Sequence, residues 1–349
     1  MSADLFGTPD FAGRVVAWQR AAGRQDLPWQ NTRDPYRIWL SEIMLQQTQV
    51  ATVIPYFQRF LDRFPTLQAL AEASPDVVSA HWAGLGYYAR GRNLQRCARQ
   101  IVAVDGGRFP ESIAQLGALP GIGRSTAAAI AVFAFGSRAA ILDGNVKRVL
   151  CRHFGVEGFP GLAAVDRELW LLAERLLPEG DIEAYTQGLM DLGATVCTRS
   201  RPRCGDCPLA ESCQARLEGR QGDLPTARPR AKLPERRATF VLISDGQRLL
   251  LERRPPSGLW GGLLVPPEGD GAAVLARLGL VAGRLQPLAP VRHAFTHFRL
   301  TLDPVFCLVP PQPGAGDPGL TWVPLGAAAM AGVPVPIRKL IERIASPTG

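Results

Sequence analysis

The chain has 349 residues, of which 46% are hydrophobic, and its net charge is +8. This length allows two domains with separate cores. No apolar run reaches membrane-spanning length, and the start Met1-Ser2-Ala3-Asp4 is not a signal peptide, so we expect a cytosolic protein and exclude the membrane and secreted classes. The basic charge is typical of proteins that bind nucleic acid, although a basic enzyme of another kind would also carry it.

Residues 1–215 are predicted to be almost entirely helical. The apolar periodicity is strong around 11–20, 36–61, 67–104, 111–135, 145–154 and 162–178. Glu42 lies in the second of these segments, and its helical neighbours Ile38, Trp39 and Leu45 are apolar. Partial removal from water would raise the pKa of this carboxyl and make it a general acid at neutral pH. A glutamate that reaches solvent at the edge of the helix is the alternative.

The segment Leu119-Pro120-Gly121-Ile122-Gly123 separates a short helix at 111–116 from a helix at 125–135. We expect Gly121 and Gly123 to adopt backbone angles that other residues avoid and to expose their N–H groups. These donors would lie at the N-terminus of the second helix, where the helix dipole favours a phosphate. The alternative is an ordinary helical hairpin with a glycine cap.

Asp143 comes directly before the apparent start of a helix at Gly144-Asn145. The simple interpretation is an N-cap, a position that suits aspartate. The functional interpretation is that the helix-end donors and Asn145 hold this carboxylate in its ionised form. A protonated acid together with a second, anionic carboxylate suits the cleavage of a bond at a sugar carbon through a cation-like transition state.

Four of the seven cysteines form a compact group with the pattern Cys197-x6-Cys204-x2-Cys207-x5-Cys213. Disulfides are not expected in a large chain without a secretion signal. Four thiolates within 17 residues indicate one closed metal site, and both structural zinc and a [4Fe–4S] cluster accept four cysteines. The single C-x2-C pair favours iron–sulfur slightly, but the spacing alone does not decide. Arginines occupy the first gap and could bind phosphate or simply face solvent: Arg199, Arg201 and Arg203.

Residues 216–237 are rich in proline and basic side chains and are interpreted as a stiff basic linker between domains. After the linker the period changes towards two, which indicates an α+β domain over 238–349. Asp245-Gly246 between two apolar runs is a strong hairpin signal. The predicted elements are strands at 238–244, 247–253, 291–301 and 304–309, helices near 271–279 and 336–345, and a loop at 310–319.

Residues 119–130 together with Asp143 resemble the helix-hairpin-helix and Gly/Pro-Asp signature of DNA glycosylases related to endonuclease III. The cysteine spacing matches the iron–sulfur loop of that group, so the resemblance favours a [4Fe–4S] cluster at 197–213 over zinc. Within the group, the chain closely resembles MutY-type adenine DNA glycosylases from about residue 11 to the C-terminal helix. The segments that carry this likeness are 27–29, 39–50, 84–90 and 142–148.

The resemblance implies a multidomain fold, with a mostly α helix-hairpin-helix glycosylase domain that carries the iron–sulfur loop and a Nudix-like α+β C-terminal domain. It implies removal of adenine paired with 8-oxoguanine, or less readily with guanine, from double-stranded DNA by a monomer in the bacterial nucleoid. The adenosine would be flipped out of the helix. Glu42 would protonate N7, Asp143 would stabilise the sugar cation, and Asn145 would orient these groups. Trp29 and Gln187 would contact the adenine.

Other residues carry implied roles in reading the DNA. Leu45, Gln47 and Tyr87 would fill the gap in the duplex and hold the opposite 8-oxoguanine; a core aromatic is the alternative for Tyr87. The hairpin Gly121 and Gly123 would bind phosphate. In the C-terminal domain, the loop Phe295-Thr296-His297 matches the family's Phe-Ser-His loop that reads the lesion, with threonine in place of serine.

Ser125 occupies the position at which relatives that cleave the DNA strand carry a lysine. A hydroxyl cannot form the imine that lyase chemistry uses. Through residue 231, Lys147 is the only lysine. The chain is therefore predicted to be a monofunctional glycosylase, with at most adventitious trapping through Lys147.

Three other functions compete with this prediction. A bifunctional glycosylase and lyase for pyrimidine lesions would need the lysine that Ser125 replaces. A non-catalytic DNA-binding or redox module would not need Glu42 and Asp143. A nucleotide pyrophosphatase would need a cluster of glutamates for Mg²⁺, whereas residues 261–300 contain only Glu268 and Asp270 as acids.

Overall fold

The structure is a computed structural model that describes residues 10–229, 233–255, 258–281, 284–295, 297–311, 319–329 and 331–345. The described residues form two compact units. The first is built from the described parts of Met1–Gln58, Thr66–Gln68 and Arg96–Arg230. The second is built from those of Arg59–Pro65, Ala69–Gln95 and Ala231–Gly349. The domain ranges 1–215 and 238–349, with the linker between them, stay predictions.

The N-terminal two thirds of the chain is helical, as the periodicity predicts. The helices are α1 (Phe11–Ala22), α2 (Pro35–Leu45), α3 (Val50–Arg63), α4 (Leu67–Glu72), α5 (Pro75–Trp82), α6 (Ala89–Val104), α7 (Ile113–Ala118), α8 (Arg124–Phe135), α9 (Gly144–Phe154), α10 (Ala163–Arg175), α11 (Ile182–Asp191) and α12 (Gln214–Leu217). A π-helical turn, Leu192–Val196, directly follows α11. Asp34 caps α2, which has Pro35 at its first position, and this combination is a strong helix start.

Two of the periodic segments each contain more than one helix. The segment 36–61 breaks at Gln46–Gln49, where Gln47 has the left-handed backbone angle φ 58°. No proline or glycine marks this break, so the apolar period gives no sign of it. The segment 67–104 breaks twice. Ser74 caps α5, and a left-handed run through Gly84 and Gly86 separates α5 from α6.

The core of the first unit surrounds α9. This helix buries Val146, Val149 and Leu150 against side chains of α1, α10 and α11. Burial of such aliphatic side chains stabilises the fold by about 1.5–3 kcal/mol each. The packing therefore fixes the N-terminus of α9, where Asp143 lies, against α11 and the π-helical turn.

The C-terminal part of the second unit contains a sheet. Its strands are β1 (Glu235–Ser244), β2 (Arg248–Arg253), β3 (Leu264–Val265), β4 (Gln286–Pro287), β5 (Val291–Ala294), β6 (Arg299–Leu308) and β7 (Leu320–Pro324). Among the described residues the strand order is β3-β2-β1-β6-β4, with β5 also paired to β6 and β7 to β2. β1 and β6 run parallel, with Glu235 opposite Arg299, and the other pairs are antiparallel.

Both faces of this sheet are covered by helices. On β1, Phe240 and Leu242 pack on one face with α15 (Val335–Ala345), while Val241 and Ile243 pack on the other with α13 (Gly271–Arg277). A further short helix, α14, spans Leu325–Ala328. This alternation is the period of two that the sequence shows.

The hairpin predicted at Asp245-Gly246 and the helices near 271–279 and 336–345 are confirmed. The strand boundary predicted between 301 and 304 is wrong, because β5 ends at Ala294 and β6 continues through Pro304 to Leu308. Of the loop predicted at 310–319, positions 312–318 lie outside the described residues. Within the part of the chain that the structure describes, no helix has both the length and the apolar character that crossing a membrane requires.

Candidate active site

The first unit contains a cavity of about 770 Å³. α2, α8, α9 and α11 contribute to its lining, together with the loop between α1 and α2. Eight of the residues that the sequence singles out line it: Glu42, Asp143, Asn145, Ser125, Trp29, Gln187, Leu45 and Gln47. Tyr87, Gly121, Gly123, Phe295 and His297 are absent from the described lining.

Glu42 projects from the last turns of α2 into the cavity and is half-buried. Burial and, to a smaller extent, the negative charge of Asp143 raise the pKa of this carboxyl to about 7. A raised pKa is what the apolar helical neighbours of Glu42 predict. A carboxyl with this pKa carries a proton in a large fraction of molecules at neutral pH and can donate it.

Asp143 caps α9 and accepts hydrogen bonds from two donors. Its Oδ1 accepts from the backbone N–H of Val146 at 2.8 Å, and its Oδ2 accepts from Nδ2 of Asn145 at 3.1 Å. Burial nevertheless raises the pKa of Asp143 above its ordinary value, against the lowering effect of these donors and of Arg148. The expectation that the helix-end donors and Asn145 hold this carboxylate ionised is therefore opposed by burial, which has the largest influence on its pKa. Because the charge of Asp143 also raises the pKa of Glu42, the two carboxyls titrate as a coupled pair.

Asn145 is held from the other side by Arg148. Nη2 of Arg148 donates to Oδ1 of Asn145 at 2.8 Å and to the carbonyl of Gly193 at 2.6 Å, and Nε donates to the carbonyl of Cys197 at 2.7 Å. A hydrogen-bonded chain thus runs from Asp143 through Asn145 and Arg148 to the first cysteine of the metal loop. Arg148 is a residue that sequence reasoning did not assign to the site.

Ser125 and Lys147 occupy different environments. Ser125 lines the cavity, and its Oγ accepts a hydrogen bond from the backbone N–H of Leu142 at 3.0 Å, next to Asp143. Lys147 is not among the lining residues. Its Nζ is 2.5 Å from Asp166 and also donates to the carbonyl of Pro160 at 3.3 Å. The amine is therefore engaged outside the cavity.

The predicted adenine pocket lies between the α1–α2 loop and α11. Trp29 is 8% exposed, and its ring meets Phe57 edge-on with centroids 5.4 Å apart. Gln187, on α11, donates from Nε2 to Oδ1 of Asp191 at 2.8 Å. Sequence reasoning missed Asp191 and its partner Arg24, which are 167 positions apart and share no local pattern.

Gln47 lies at the mouth of the site, directly after α2. It is exposed and has a left-handed backbone, φ 58°. A non-glycine residue in this conformation carries strain of about 1–3 kcal/mol, and such residues cluster at functional sites. The conformation is compatible with the predicted role in contacting DNA.

The glycine hairpin between α7 and α8 is exposed at both glycines. Gly121 has φ 82° and needs the conformational freedom of glycine. The same expectation for Gly123 is wrong, because its angles of φ −91° and ψ 172° are ordinary extended backbone. A Cβ on Gly123 would meet no atom within 4 Å. Gly123 is the N-cap of α8 and leaves the start of that helix open to an anion.

The four cysteines of the predicted cluster line one small cavity of about 20 Å³, together with Arg152. Burial, together with the charges of the other three thiolates, raises the pKa of Cys207 to about 11, so four thiolates here need a positively charged group. Four cysteine thiolates around one cavity are a donor set that a multi-iron cluster accepts, and such a cluster would tie four points of the loop together when bound.

Arg152 holds this loop from α9 and is 2% exposed. It donates to the carbonyls of Leu224, Thr198 and Arg199 at 2.7–2.9 Å, and Nη1 lies 3.4 Å from Sγ of Cys197. Five fixed donors on one planar group suit such a convergence of acceptors. The loop is thus held by protein contacts as well as by its thiolates.

The second unit carries the remaining predicted recognition residues. Tyr87 is 47% exposed, has φ 47°, and lies 5.3 Å from the guanidinium of Arg90. Phe295 stacks on Phe298 with centroids 4.5 Å apart, and His297 is exposed beside the same ring. Thr296 lies outside the described residues.

The two acidic residues of the segment 261–300, Glu268 and Asp270, already have hydrogen-bond partners. Glu268 accepts a hydrogen bond from Arg254 at 2.6 Å, and Asp270 caps α13 by accepting from the N–H groups of Ala272 and Ala273. Both side chains therefore have structural partners.

Comparison with family models assigns a class to each part of the chain. Residues 40–175 match the HhH-GPD superfamily of base excision DNA repair proteins. Residues 197–213 match the iron-sulfur binding domain of endonuclease III, so the cysteine loop is a [4Fe–4S] site. Residues 238–343 match a NUDIX domain. The fold is thus a helical helix-hairpin-helix domain followed by a Nudix-like domain.

Relatives that match most of the chain identify the family within this class. An adenine DNA glycosylase of Buchnera aphidicola subsp. Baizongia pistaciae (strain Bp) is 33% identical over 340 residues, which cover 96% of both chains. An adenine DNA glycosylase of Homo sapiens is 37% identical over 93% of this chain and 70% of its own. A thermostable thymine-DNA glycosylase structure matches 60% of this chain and 95% of its own, with 31% identity and a TM-score of 0.55. The chain belongs to the adenine DNA glycosylase family.

Proposed function

We propose that this chain acts on double-stranded DNA and removes adenine paired with 8-oxoguanine or guanine, by hydrolysis of the N-glycosidic bond in base excision repair. The single observation that carries the proposal is the pairing of Glu42 and Asp143 in one cavity, with a pKa of about 7 for Glu42. A cavity of about 770 Å³ admits a flipped nucleotide.

Glu42 supplies the proton in this scheme. The neutral carboxyl donates to N7 of the flipped adenine, which turns the base into a neutral leaving group. Electron density then moves from the glycosidic bond to the base, and the sugar carbon becomes positively charged. The raised pKa of Glu42 keeps the donor protonated in the range where adenine itself is not.

Asp143 stabilises the cation that remains on the sugar. In this scheme its carboxylate is ionised while Glu42 holds the proton of the coupled pair, and Val146 and Asn145 fix its direction. A fixed negative charge in a partly dry cavity stabilises a developing positive charge more strongly than water does. Water then attacks the sugar carbon and completes the hydrolysis.

The reaction ends at the abasic site in this proposal. Ser125 uses its hydroxyl on Leu142, and the amine of Lys147 is paired with Asp166 outside the cavity lining. Neither group is placed to form an imine with the sugar. The product is an intact strand, which breaks only after alkali.

We assign recognition of the opposite base to Gln47, Leu45 and Tyr87, with the loop around Phe295 and His297 in the C-terminal domain, 238–349. The exposed glycine hairpin binds backbone phosphate. The Nudix-like domain reads the lesion and does not hydrolyse nucleotides, because Glu268 and Asp270 are used by Arg254 and α13. The protein works as a monomer on the DNA of the nucleoid.

The test uses duplexes that carry adenine opposite 8-oxoguanine, guanine, cytosine or thymine. Free base and alkali-dependent strand breaks are measured for the full chain with its cluster. We expect adenine release opposite 8-oxoguanine and guanine, with breaks only after alkali. Asp143→Asn should abolish release while duplex binding persists. Breaks without alkali would contradict the monofunctional mechanism, and no release from any duplex would contradict the proposed activity.

A further inference from the structure

Asp191 is a fully buried carboxylate that the proposed chemistry leaves without a role. It ends α11 and is 0% exposed. Its Oδ2 accepts from the backbone N–H of Arg24 at 2.8 Å, and its Oδ1 accepts from Nε and Nη2 of Arg24 at 2.7 and 2.5 Å. A carboxylate that takes three hydrogen bonds from one arginine is in its anionic form, which accepts hydrogen bonds and cannot donate them.

This anion determines which way the amide of Gln187 faces. Nε2 of Gln187 donates to Oδ1 of Asp191 at 2.8 Å, four residues away on the same helix. Only the NH₂ end of an amide can face an anionic carboxylate, so the carbonyl oxygen Oε1 must point away from Asp191. Since Gln187 lines the cavity, it offers that side of the pocket an acceptor.

The same carboxylate anchors the opposite wall of the pocket. Arg24 begins the loop that carries Trp29, and its carbonyl accepts from Nε2 of Gln30 at 2.9 Å. Oε1 of Gln30 in turn accepts from the backbone N–H of Leu27 at 3.0 Å. Asp191 is therefore the buried point that connects α11 to the loop on which Trp29 lies.

We propose that Asp191 is a positioning residue for base selection: it holds the amide of Gln187 with its carbonyl oxygen towards the pocket, so that the pocket prefers a purine with an amino group at C6. This inference rests on the proposed function, since it concerns the base that the same site removes. A purine with a carbonyl at C6 would place its oxygen against Oε1 of Gln187. Both oxygens are acceptors, so neither would have a hydrogen bond. Adenine carries the amino group, and hypoxanthine carries the carbonyl.

Hypoxanthine is a suitable probe because it keeps N7, the atom that receives the proton of Glu42. The experiment compares single-turnover release of adenine and of hypoxanthine, each opposite 8-oxoguanine, by the wild-type chain and by Asp191→Asn. If the NH₂ group of asparagine takes the place of Oδ1, it can donate to Oε1 of Gln187 and allow that amide to flip, while the bonds from Nε and Nη2 of Arg24 to Oδ1 are lost. We expect the ratio of adenine to hypoxanthine release to fall by about tenfold, the size of one hydrogen bond gained or lost.

The rescue variant is Asp191→Asn with Gln187→Glu. In this pair asparagine donates and the glutamate accepts, so an oxygen again faces the pocket. The ratio should return towards that of the wild type. Asp181→Asn is the matched control, because Asp181, the N-cap of α11, also pairs with an arginine, Arg20 of α1, but is exposed and lies six residues from Gln187. Its ratio should not change.

An unchanged ratio in Asp191→Asn, with both rates reduced equally, would overturn the inference and leave Asp191 a structural role only. If that variant does not fold, as shown by thermal unfolding and iron content, Gln187→Met provides the test, because it removes the carbonyl and must lower the ratio in the same way. A failure of the wild-type chain to release adenine would instead overturn the proposed function.

Discussion

Two pairs of carboxylates in this molecule show how environment sets chemistry. In the first unit, Glu42 and Asp143 line a cavity, and burial raises the pKa of both. In the Nudix-like part of the second unit, Glu268 is bonded to Arg254 and Asp270 caps a helix. Neither Glu42 nor Asp143 forms an ion pair in the described structure, and neither is fully exposed to water. Glu42 therefore keeps a proton that it can transfer. The second pair is satisfied, so it stabilises structure and has no proton to give.

The largest expected effect is on the rate of adenine release, which should depend on the first pair of carboxylates and not on the second. Glu42→Gln keeps the shape of the side chain but has no acidic proton. We expect adenine release to fall by about a thousandfold or more, within the range of general acid catalysis, while duplex binding stays intact. Glu268→Gln is the matched control and should leave the rate unchanged. A Glu42→Gln chain with more than a tenth of wild-type activity would refute the comparison.

Arg152 provides the next largest effect, on stability. Arg152→Met leaves the carbonyls of Leu224, Thr198 and Arg199 without their donor. Each buried carbonyl that is left without its donor costs about 1–3 kcal/mol. Chemical unfolding should show this loss, together with reduced iron content. Arg203→Met, whose side chain is exposed, should change stability by less than about 1 kcal/mol.

Gly193 tests how closely the π-helical turn must approach α9. A Cβ at this position would lie 2.5 Å from Cβ of Asn145 and 2.9 Å from its carbonyl oxygen. Gly193→Ala should displace Asn145 and so loosen Asp143, which lowers the rate of adenine release by roughly ten- to a hundredfold. Gly205→Ala, where a Cβ meets no atom within 4 Å, is the matched control. Equal rates for the two variants would contradict the positioning of Asn145 by this turn.

The smallest effect concerns stability as a function of pH. The folded chain raises the pKa of Glu42 from 4.5 to about 7, so it holds a proton that the unfolded chain has released. Stability contributed by this group is therefore lost as pH rises from about 4.5 to 7. Glu42→Gln removes the penalty, so its stability relative to the wild type should increase as pH rises from about 4.5 to 7. A constant stability difference between low and high pH would contradict this.

Local patterns predicted much of this molecule. The N-cap Asp143, the hairpin helices and the turn at Asp245-Gly246 depend on residues close together in the chain, and the structure has them at those positions. The break after Leu45 and the left-handed Gln47 could not be predicted, because no glycine or proline marks them.

The candidate site also has features that the sequence predicts and features that it does not. Its acids and cysteines are visible as residue types at characteristic spacings, whereas the pairing of Arg24 with Asp191 joins positions 167 apart. The contact of Gly193 with Asn145 also spans separate helices. Such contacts depend on how helices pack, which a single sequence does not specify. The raised pKa of Asp143 likewise could not be predicted, because it depends on the burial of the carboxyl, which only the structure shows.

The most direct test of the account is the single-turnover rate of adenine release opposite 8-oxoguanine, measured across pH for the wild-type chain and for Glu42→Gln. Proton donation requires a protonated Glu42, so the wild-type rate should fall tenfold per pH unit above about 7. The residual rate of Glu42→Gln should lack this fall. A wild-type rate that stays constant through this range, or rises, would contradict proton donation by Glu42.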